Sequence, residues 1–112
     1  MTAGPAPSTP PATHRRRKVE IIVEQTLVPA VLRMIDGCGA KGYTVLPTSS
    51  GRGHTGARGS AHVTGVFDNV MVIAVCEASV ADRILAKAPT VVGPGVGVVW
   101  VSDVDVLRAD HF

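Results

Sequence analysis

The 112-residue chain has few aromatic residues, only two cysteines and no long apolar run. Aromatic side chains make up 4% of it, so Val, Ile, Leu and Ala must build the core, and the sheet-borne aromatics of an RNA-recognition module are missing. Cys38 and Cys76 are too few for a disulfide framework and are expected to be buried, reduced thiols. No stretch approaches the roughly 20 apolar residues of a membrane span, and no signal-peptide pattern is present, which predicts a cytoplasmic protein that is not embedded in a membrane.

Catalytic and metal-binding constellations are also missing. No Ser/His/Asp or Cys/His arrangement is convincing, and Asp103 and Asp105 have a spacing more typical of an exposed strand face than of acid–base catalysis. His54, His62 and His111 fit no standard metal-site spacing. The sequence therefore predicts no catalytic residue, no catalytic cofactor and no metal site, in a protein that is not an enzyme.

The net charge of +2 is concentrated in the basic run Arg15–Lys18, which holds four of the eleven basic residues. The rest of the chain then has seven basic against nine acidic groups, whereas a nucleic-acid module would spread positive charge over its folded face. We interpret the run as a solvated tail, with a polyanion-binding arm as the alternative. Residues 1–14 are rich in Pro, Ala, Ser and Thr and cannot offset their ordering entropy. We predict a disordered tail over 1–17 and one domain over 18–112.

Apolar periodicity in that domain predicts four strands and two helices. The strands are KVEIIVEQ (18–25), KGYTVLP (41–47), VFDNVMVIAVC (66–76) and VVWVSDVDVL (98–107). The first helix is expected to follow the cap Thr26, with Pro29 in its first turn, an apolar stripe of Val28, Val31, Leu32 and Ile35, and a stop at Gly37 and Gly39. The second is expected to follow the cap Ser79, with an apolar stripe of Val80, Ile84, Leu85 and Ala88, and to end at Pro89.

The order β-α-β-β-α-β predicts an α+β, ferredoxin-like fold with an antiparallel sheet and both helices on one face. Ile22, Ile73, Val75 and Trp100 would lie on the other face. They are too apolar to remain in water, so a further subunit is expected to cover them.

The long loop Thr48–Gly65 (TSSGRGHTGARGSAHVTG) is the segment whose residue types most strongly suggest ligand binding. Its glycines let backbone N–H groups approach an anion, and Arg52 and Arg58 can each bind phosphate or carboxylate with two hydrogen bonds. No GKS or GKT follows, so this is not a Walker motif, and the loop is either a phosphate cradle or simply mobile. A second glycine cluster, Gly93–Gly97, leads into the last strand. It is either the wall of a site that admits a flat ring or a phosphate, or simply a tight connection between a helix and a strand.

Four stretches, in order, resemble the PII signalling-protein superfamily and, within it, the PII-like subgroup associated with bicarbonate transport and carboxysomes. They are KVEIIVEQ, GAKGYTVLPTSSGRG, NVMVIAVCE and GVGVVWVSDVDVL, and they span nearly all of residues 18–108. The resemblance implies a homotrimer with nucleotide sites in the clefts between subunits and a T-loop, about residues 48–65, between the second and third strands. It implies a sensor of ADP or AMP, with ATP less favoured.

The resemblance also implies which residues bind the nucleotide. The segment from Gly42 to Thr44 and the third-strand residue Val75 match positions beside adenine. Gly51 and Gly53 match a Gly-x-Gly at the base of the T-loop, and the last glycine cluster matches a phosphate-side wall. The predicted nucleotide set is Gly42, Tyr43, Thr44, Ser49, Ser50, Gly51, Arg52, Gly53, His54, Val75, Gly95, Val96, Gly97 and Arg108.

Four departures separate the chain from classical nitrogen-sensing PII proteins. Val98 stands where those proteins carry a phosphate-binding lysine, and Arg108 alone remains of a pair of arginines. The T-loop has no tyrosine to uridylylate and lacks their glutamine-bearing sequence for 2-oxoglutarate.

The subgroup suggests bicarbonate as a second ligand, at Gly53, His54, Thr55 and Arg58, and a bicarbonate transporter or carboxysome-associated protein as partner. The alternatives are a metal-responsive, CutA-like trimer and a classical nitrogen-regulatory PII protein.

Overall fold

A computed structural model describes residues 4, 9, 11–48, 52–53, 56–57, 69–93 and 97–112. Its strands are β1 (His14–Glu24), β2 (Thr44–Pro47), β3 (Arg52–Gly53), β4 (Gly56–Ala57), β5 (Asn69–Cys76) and β6 (Gly97–Val106). Its α-helices are α1 (Val28–Gly37) and α2 (Ala78–Val92), and 3-10 turns span Gln25–Leu27 and Ala109–His111. The four longer strands form one antiparallel sheet in the order β2-β5-β1-β6, and β3 pairs with β4. The predicted α+β, ferredoxin-like fold is confirmed.

The core lies between the sheet and the two helices. On β1, the alternate residues Val19, Ile21 and Val23 are almost fully buried, and α1 and α2 cover them with residues such as Ile35 and Ile84. Strand alternation places every second side chain on one face, so the periodicity of the sequence directly selects this buried layer.

The first strand begins at His14, four residues before its predicted start, so the predicted tail over residues 1–17 is wrong at residues 14–17. The basic run pairs with β6, and Arg15 and Arg17 form ion pairs with Asp105 and Asp103 at 2.8 and 2.5 Å. These carboxylates lie 90 and 86 positions away in the chain. Local composition therefore could not show that the run has partners.

The helix boundaries differ from the predicted signals at both ends. Thr26 lies in the 3-10 turn before α1, and α2 begins at Ala78, so neither Thr26 nor Ser79 is an N-cap. Pro89 lies inside α2, which continues to Val92 because burial of Val92 in the core outweighs the hydrogen bond that proline cannot donate. Leu85, predicted on the buried stripe, is 40% exposed.

The two glycines predicted to stop the first helix have different positions in it. Gly37 is its last helical residue, whereas Gly39 has a φ of 100° and ends the helix in the left-handed conformation that glycine adopts without strain. Its N–H donates to the carbonyl of Asp36, and that of Ala40 donates to Ile35.

The starts of the other three strands differ from the predicted ones by one to three residues where the structure describes them. The second strand begins at Thr44 instead of Lys41 and the last at Gly97 instead of Val98. The third begins at Asn69, with residues 66–68 of its predicted span outside the described residues.

The sheet face away from the helices, called the outer face here, is largely apolar. Its side chains include the four predicted residues Ile22, Ile73, Val75 and Trp100, together with Leu46, Met71 and Val98. Trp100 and Val98 are 41% and 52% exposed. A polar cluster interrupts this face: Glu20 accepts a hydrogen bond from the Trp100 indole at 3.0 Å and pairs with Lys18 at 3.3 Å.

Candidate functional site

A cleft of about 440 Å³ opens on the outer face where β2 begins. The pairing of β2 with β5 starts at Thr44, opposite Ile73. Val75 lies two residues farther along β5, past the first residue of β2, and the cleft is open on that side. The lining residues are Lys41, Gly42, Tyr43, Thr44, Ile73, Val75, Asp110, His111 and Phe112.

The wall beside β2 is built from the segment just before that strand. A Cβ on Gly42 would meet nothing within 4 Å, so this stretch of backbone faces open space. Tyr43 is 42% exposed, and Thr44 adds a hydroxyl next to the apolar Ile73. The wall therefore offers exposed backbone, one aromatic ring and one short polar group.

The opposite wall is the 3-10 turn Ala109–His111 with Phe112. Arg16 Nη2 donates to the carbonyl of Ala109 at 3.2 Å, and Lys41 Nζ donates to that of Asp110 at 3.1 Å. The rings of His111 and Phe112 meet edge to face, with their centroids 5.0 Å apart. The chain leaving β6 thus crosses the sheet and reaches the cleft.

The base of the T-loop is closed by one pair of residues. Thr48 donates to the carbonyl oxygen of Asn69 through its N–H at 3.1 Å and through its hydroxyl at 2.8 Å. Within the loop, Arg52 pairs with Ala57 and Gly53 with Gly56 in the short β3–β4 ladder, which the sequence did not predict.

Three groups away from the cleft have shifted pKa values: Arg15, Cys76 and Asp103. Hydrogen bonding from Arg17, with the charges of Arg17 and Arg15, lowers the pKa of Asp103, and Asp105 raises the pKa of Arg15. Burial raises the pKa of the Cys76 thiol, which keeps it protonated. No group of three or more His, Cys, Asp or Glu within the described ranges could hold a metal ion.

Four of the predicted nucleotide residues line the cleft together: Gly42, Tyr43, Thr44 and Val75. Gly97 and Arg108 are described but do not line it. Gly97 packs against Val92 and β1, and Arg108 is an exposed residue after β6. The predicted residues Ser49, Ser50, Gly51, His54, Thr55, Arg58, Gly95 and Val96 lie outside the described residues.

Sequence reasoning missed five lining residues. Ile73 could have been found, since it lies two positions before Val75 on the same strand face, and Lys41 directly precedes Gly42. Asp110, His111 and Phe112 gave no such signal, because they reach the cleft only after the chain turns back across the sheet.

The family model of the nitrogen regulatory protein P-II matches residues 16–111, and the chain therefore belongs to the P-II family. No curated protein sequence matches it significantly. No helix within the described part of the chain has the length and apolar character needed to cross a bilayer.

Solved structures place it in the PII-like subgroup. CPII, a nitrogen regulatory PII-like protein from Thiomonas intermedia described bound to ADP, AMP and bicarbonate, is 27% identical with a TM-score of 0.80, over 90% of this chain and 96% of CPII. A PII-like signalling protein from Thermus thermophilus is 28% identical with a TM-score of 0.75, over 89% of this chain and 97% of that protein. The ATP complex of GlnK from B. subtilis, at 17% identity and a TM-score of 0.59 over 80% and 82%, shares the fold.

Proposed function

We propose that this chain is a cytoplasmic PII-like regulator that binds an adenine nucleotide and signals through its T-loop. The observation that carries the proposal is the open cleft that joins Gly42, Tyr43 and Thr44 to Ile73 and Val75. Its volume lies within the range of about 300–1,000 Å³ typical of small-molecule sites.

The lining suits an adenosine phosphate. A flat base can lie against the apolar Ile73 and Val75 and the exposed backbone of Gly42, and Thr44 supplies a hydrogen-bonding hydroxyl. Lys41 contributes a positive charge, which attracts phosphate. The relative CPII is described bound to ADP and AMP, and we propose these nucleotides as ligands here, with ATP less favoured.

A second copy of the chain would complete the site in a homotrimer. In one protomer Gly97 and Arg108 do not line the cleft, and we propose that the glycine cluster around Gly95–Gly97 forms a wall for the neighbour's nucleotide. The apolar outer face supports this assembly, because its burial between subunits would remove Trp100 and Val98 from water.

Signalling is proposed to work by a shift in loop populations. A ligand that contacts Gly51–His54 would favour one T-loop arrangement, and the Thr48–Asn69 contact ties the loop to β5, the strand that also carries Ile73 and Val75 of the cleft. We propose regulation, not catalysis, with a bicarbonate transporter or a carboxysome-associated protein as partner.

Bicarbonate is the proposed second ligand, at Gly53, His54, Thr55 and Arg58. CPII is described bound to ADP with bicarbonate, and also to ADP, AMP and acetate. Both anions carry a planar carboxylate that arginine can bind with two hydrogen bonds.

Nucleotide binding can be measured by calorimetry and thermal shift with AMP, ADP and ATP, with and without bicarbonate. We expect ADP to raise the melting temperature, since a ligand that binds only the folded state stabilises it. Arg52→Ala should weaken ADP binding by about tenfold through loss of a charged phosphate contact. Arg33→Ala, which removes an exposed charge on α1, should not. The proposal fails if no adenine nucleotide binds or alters melting.

Classical nitrogen regulation is a second candidate, because the matching family is described as nitrogen regulatory. It predicts cooperative binding of 2-oxoglutarate with Mg-ATP. Calorimetry with that pair of ligands, run beside ADP with bicarbonate, separates the two functions.

A further inference from the structure

The turn Ala109–His111 cannot hold its own position over the cleft. Its internal hydrogen bonds run from His111 N–H to the Arg108 carbonyl at 3.2 Å, the long end of the usual range, and from Phe112 N–H to the Ala109 carbonyl at 3.4 Å, beyond it. A single 3-10 turn with so few bonds is marginal in isolation. Contacts from outside the turn must therefore position this wall.

Two cations from different parts of the chain supply those contacts. Arg16 on β1 donates to the carbonyl of Ala109, and Lys41 before β2 donates to that of the next residue, Asp110. Hydrogen bonds from charged donors are about twice as strong as those between neutral groups. Together the two bonds clamp the turn to β1 and to the segment before β2.

Arg16 differs from its neighbours in having no carboxylate partner among the described residues. Arg15 and Arg17 pair with aspartates, whereas Arg16 donates to two carbonyls, those of Ala109 and of Arg15 at 2.8 Å. Its Nε is buried and has no hydrogen-bond partner within the described part of the chain. Leaving a buried donor unpaired costs free energy, which offsets part of what the clamp contributes.

We propose that Arg16 is a positioning residue for the ligand in the cleft, acting through the turn that it holds with Lys41. This proposal rests on the proposed function. The unpaired Nε would gain water if the turn moved away, which lowers the free-energy cost of opening the clamp. A nucleotide that touches Asp110 or His111 binds the clamped wall better and shifts the population towards it.

Arg16→Gln tests the proposal, with Arg15→Gln as the matched control. Each variant removes one positive charge from β1, but Arg15 contacts Asp103 and Asp105 and does not touch the turn. In Arg16→Gln we expect hydrogen exchange of residues 109–112 to be at least about fivefold faster without ligand, and the Kd for ADP to rise at least about fivefold. In Arg15→Gln both quantities should remain within about twofold of the wild type.

Arg16→Lys is a second, more conservative variant that keeps the test decisive if Arg16→Gln fails to fold. Lysine keeps the charge and a single donor nitrogen but lacks the second guanidinium arm that reaches the Arg15 carbonyl, so the exchange rate and ADP affinity of this variant should be intermediate. Unchanged exchange at residues 109–112 in Arg16→Gln and Arg16→Lys would overturn the clamp. Faster exchange with unchanged ADP affinity would overturn the role in binding.

The outcomes separate this proposal from the proposed function. If the wild-type protein binds no adenine nucleotide, the proposed function and the affinity claim both fall, while the exchange measurement still decides whether Arg16 holds the turn. If the wild type binds ADP and Arg16→Gln binds it equally well, only the positioning role is wrong.

Discussion

Gly97, the first residue of β6, shows how close packing can exclude even a Cβ from one position. A Cβ there would lie 2.6 Å from Val92 Cγ1, 2.8 Å from the Ile22 carbonyl oxygen and 2.9 Å from Val23 Cγ1. The carbonyl belongs to β1, so no rotation of a side chain relieves that contact. The family resemblance implies a ligand role for Gly97, and the structure adds a packing role within one protomer.

Gly97→Ala should therefore destabilise the fold by about 1–3 kcal/mol, as overpacking typically does. Gly42→Ala is the control. Its Cβ would enter open space, so its free energy of unfolding should stay within about 0.5 kcal/mol of the wild type. Urea unfolding of the three proteins measures both. A Gly97→Ala protein as stable as the wild type would show that β6 can move away from β1 at no cost.

At the scale of elements, the pairing of β1 with β6 depends on charge as well as on apolar packing. Arg15, Arg17, Asp103 and Asp105 form a cross-strand ion-pair network beyond the buried layer. Opposite charges across an antiparallel pair stabilise it modestly, and salt screens them when they are exposed. The network explains why the strand extends to His14 despite four consecutive basic residues.

The pH dependence of this network has a definite sign. The pKa of Asp103 is lower in the folded protein, mainly because Arg17 donates a hydrogen bond to it. The stabilisation is present above the unfolded pKa of about 3.9 and is lost as pH falls through the folded pKa. Asp103 is half exposed, so the effect is modest.

Asp103→Asn should accordingly lower the urea midpoint at pH 7 in low salt. The difference from wild type should shrink as pH falls below about 4 and also in about 1 M salt. Asp82→Asn, an exposed position on α2, should show neither dependence. An Asp103→Asn deficit that is independent of both pH and salt would mean that the ion pairs do not stabilise the strand pair.

At the scale of the whole molecule, the outer face determines whether the protein can remain monomeric. It exposes Val98 and Trp100 around the polar cluster of Lys18, Glu20 and Trp100. A covered outer face keeps those hydrogen bonds because they are satisfied within one chain. The Trp100 indole can thus be buried without losing its hydrogen-bond partner.

Val98→Glu should break the proposed homotrimer, because a charge would be buried without a partner. Leu85→Glu is matched in chemistry and exposure, at 40% against 52%, but lies on a helix away from the outer face, and it should leave assembly unchanged. Light scattering coupled to gel filtration measures the mass of each. A wild-type monomer, or a Val98→Glu protein of unchanged mass, would contradict the proposed assembly.

Strand and helix identity could be predicted from the sequence because it depends on contacts that local periodicity encodes. The alternation of Val19, Ile21 and Val23, and the order of the elements, were sufficient for the ferredoxin-like fold. Four of the nine residues that line the cleft could also be predicted, since Gly42 to Thr44 and Val75 stand in segments that carry the family resemblance.

Tertiary structure alone decided the features that join distant parts of the chain. The partners of Arg15 and Arg17, the continuation of α2 past Pro89 and the return of Asp110 and His111 to the cleft all depend on contacts between distant residues. Arg16 illustrates the difference. Its place in a basic run indicates solvent, and only the folded sheet brings its guanidinium to the Ala109 carbonyl, because burial and hydrogen bonding are properties of the surroundings and not of the residue.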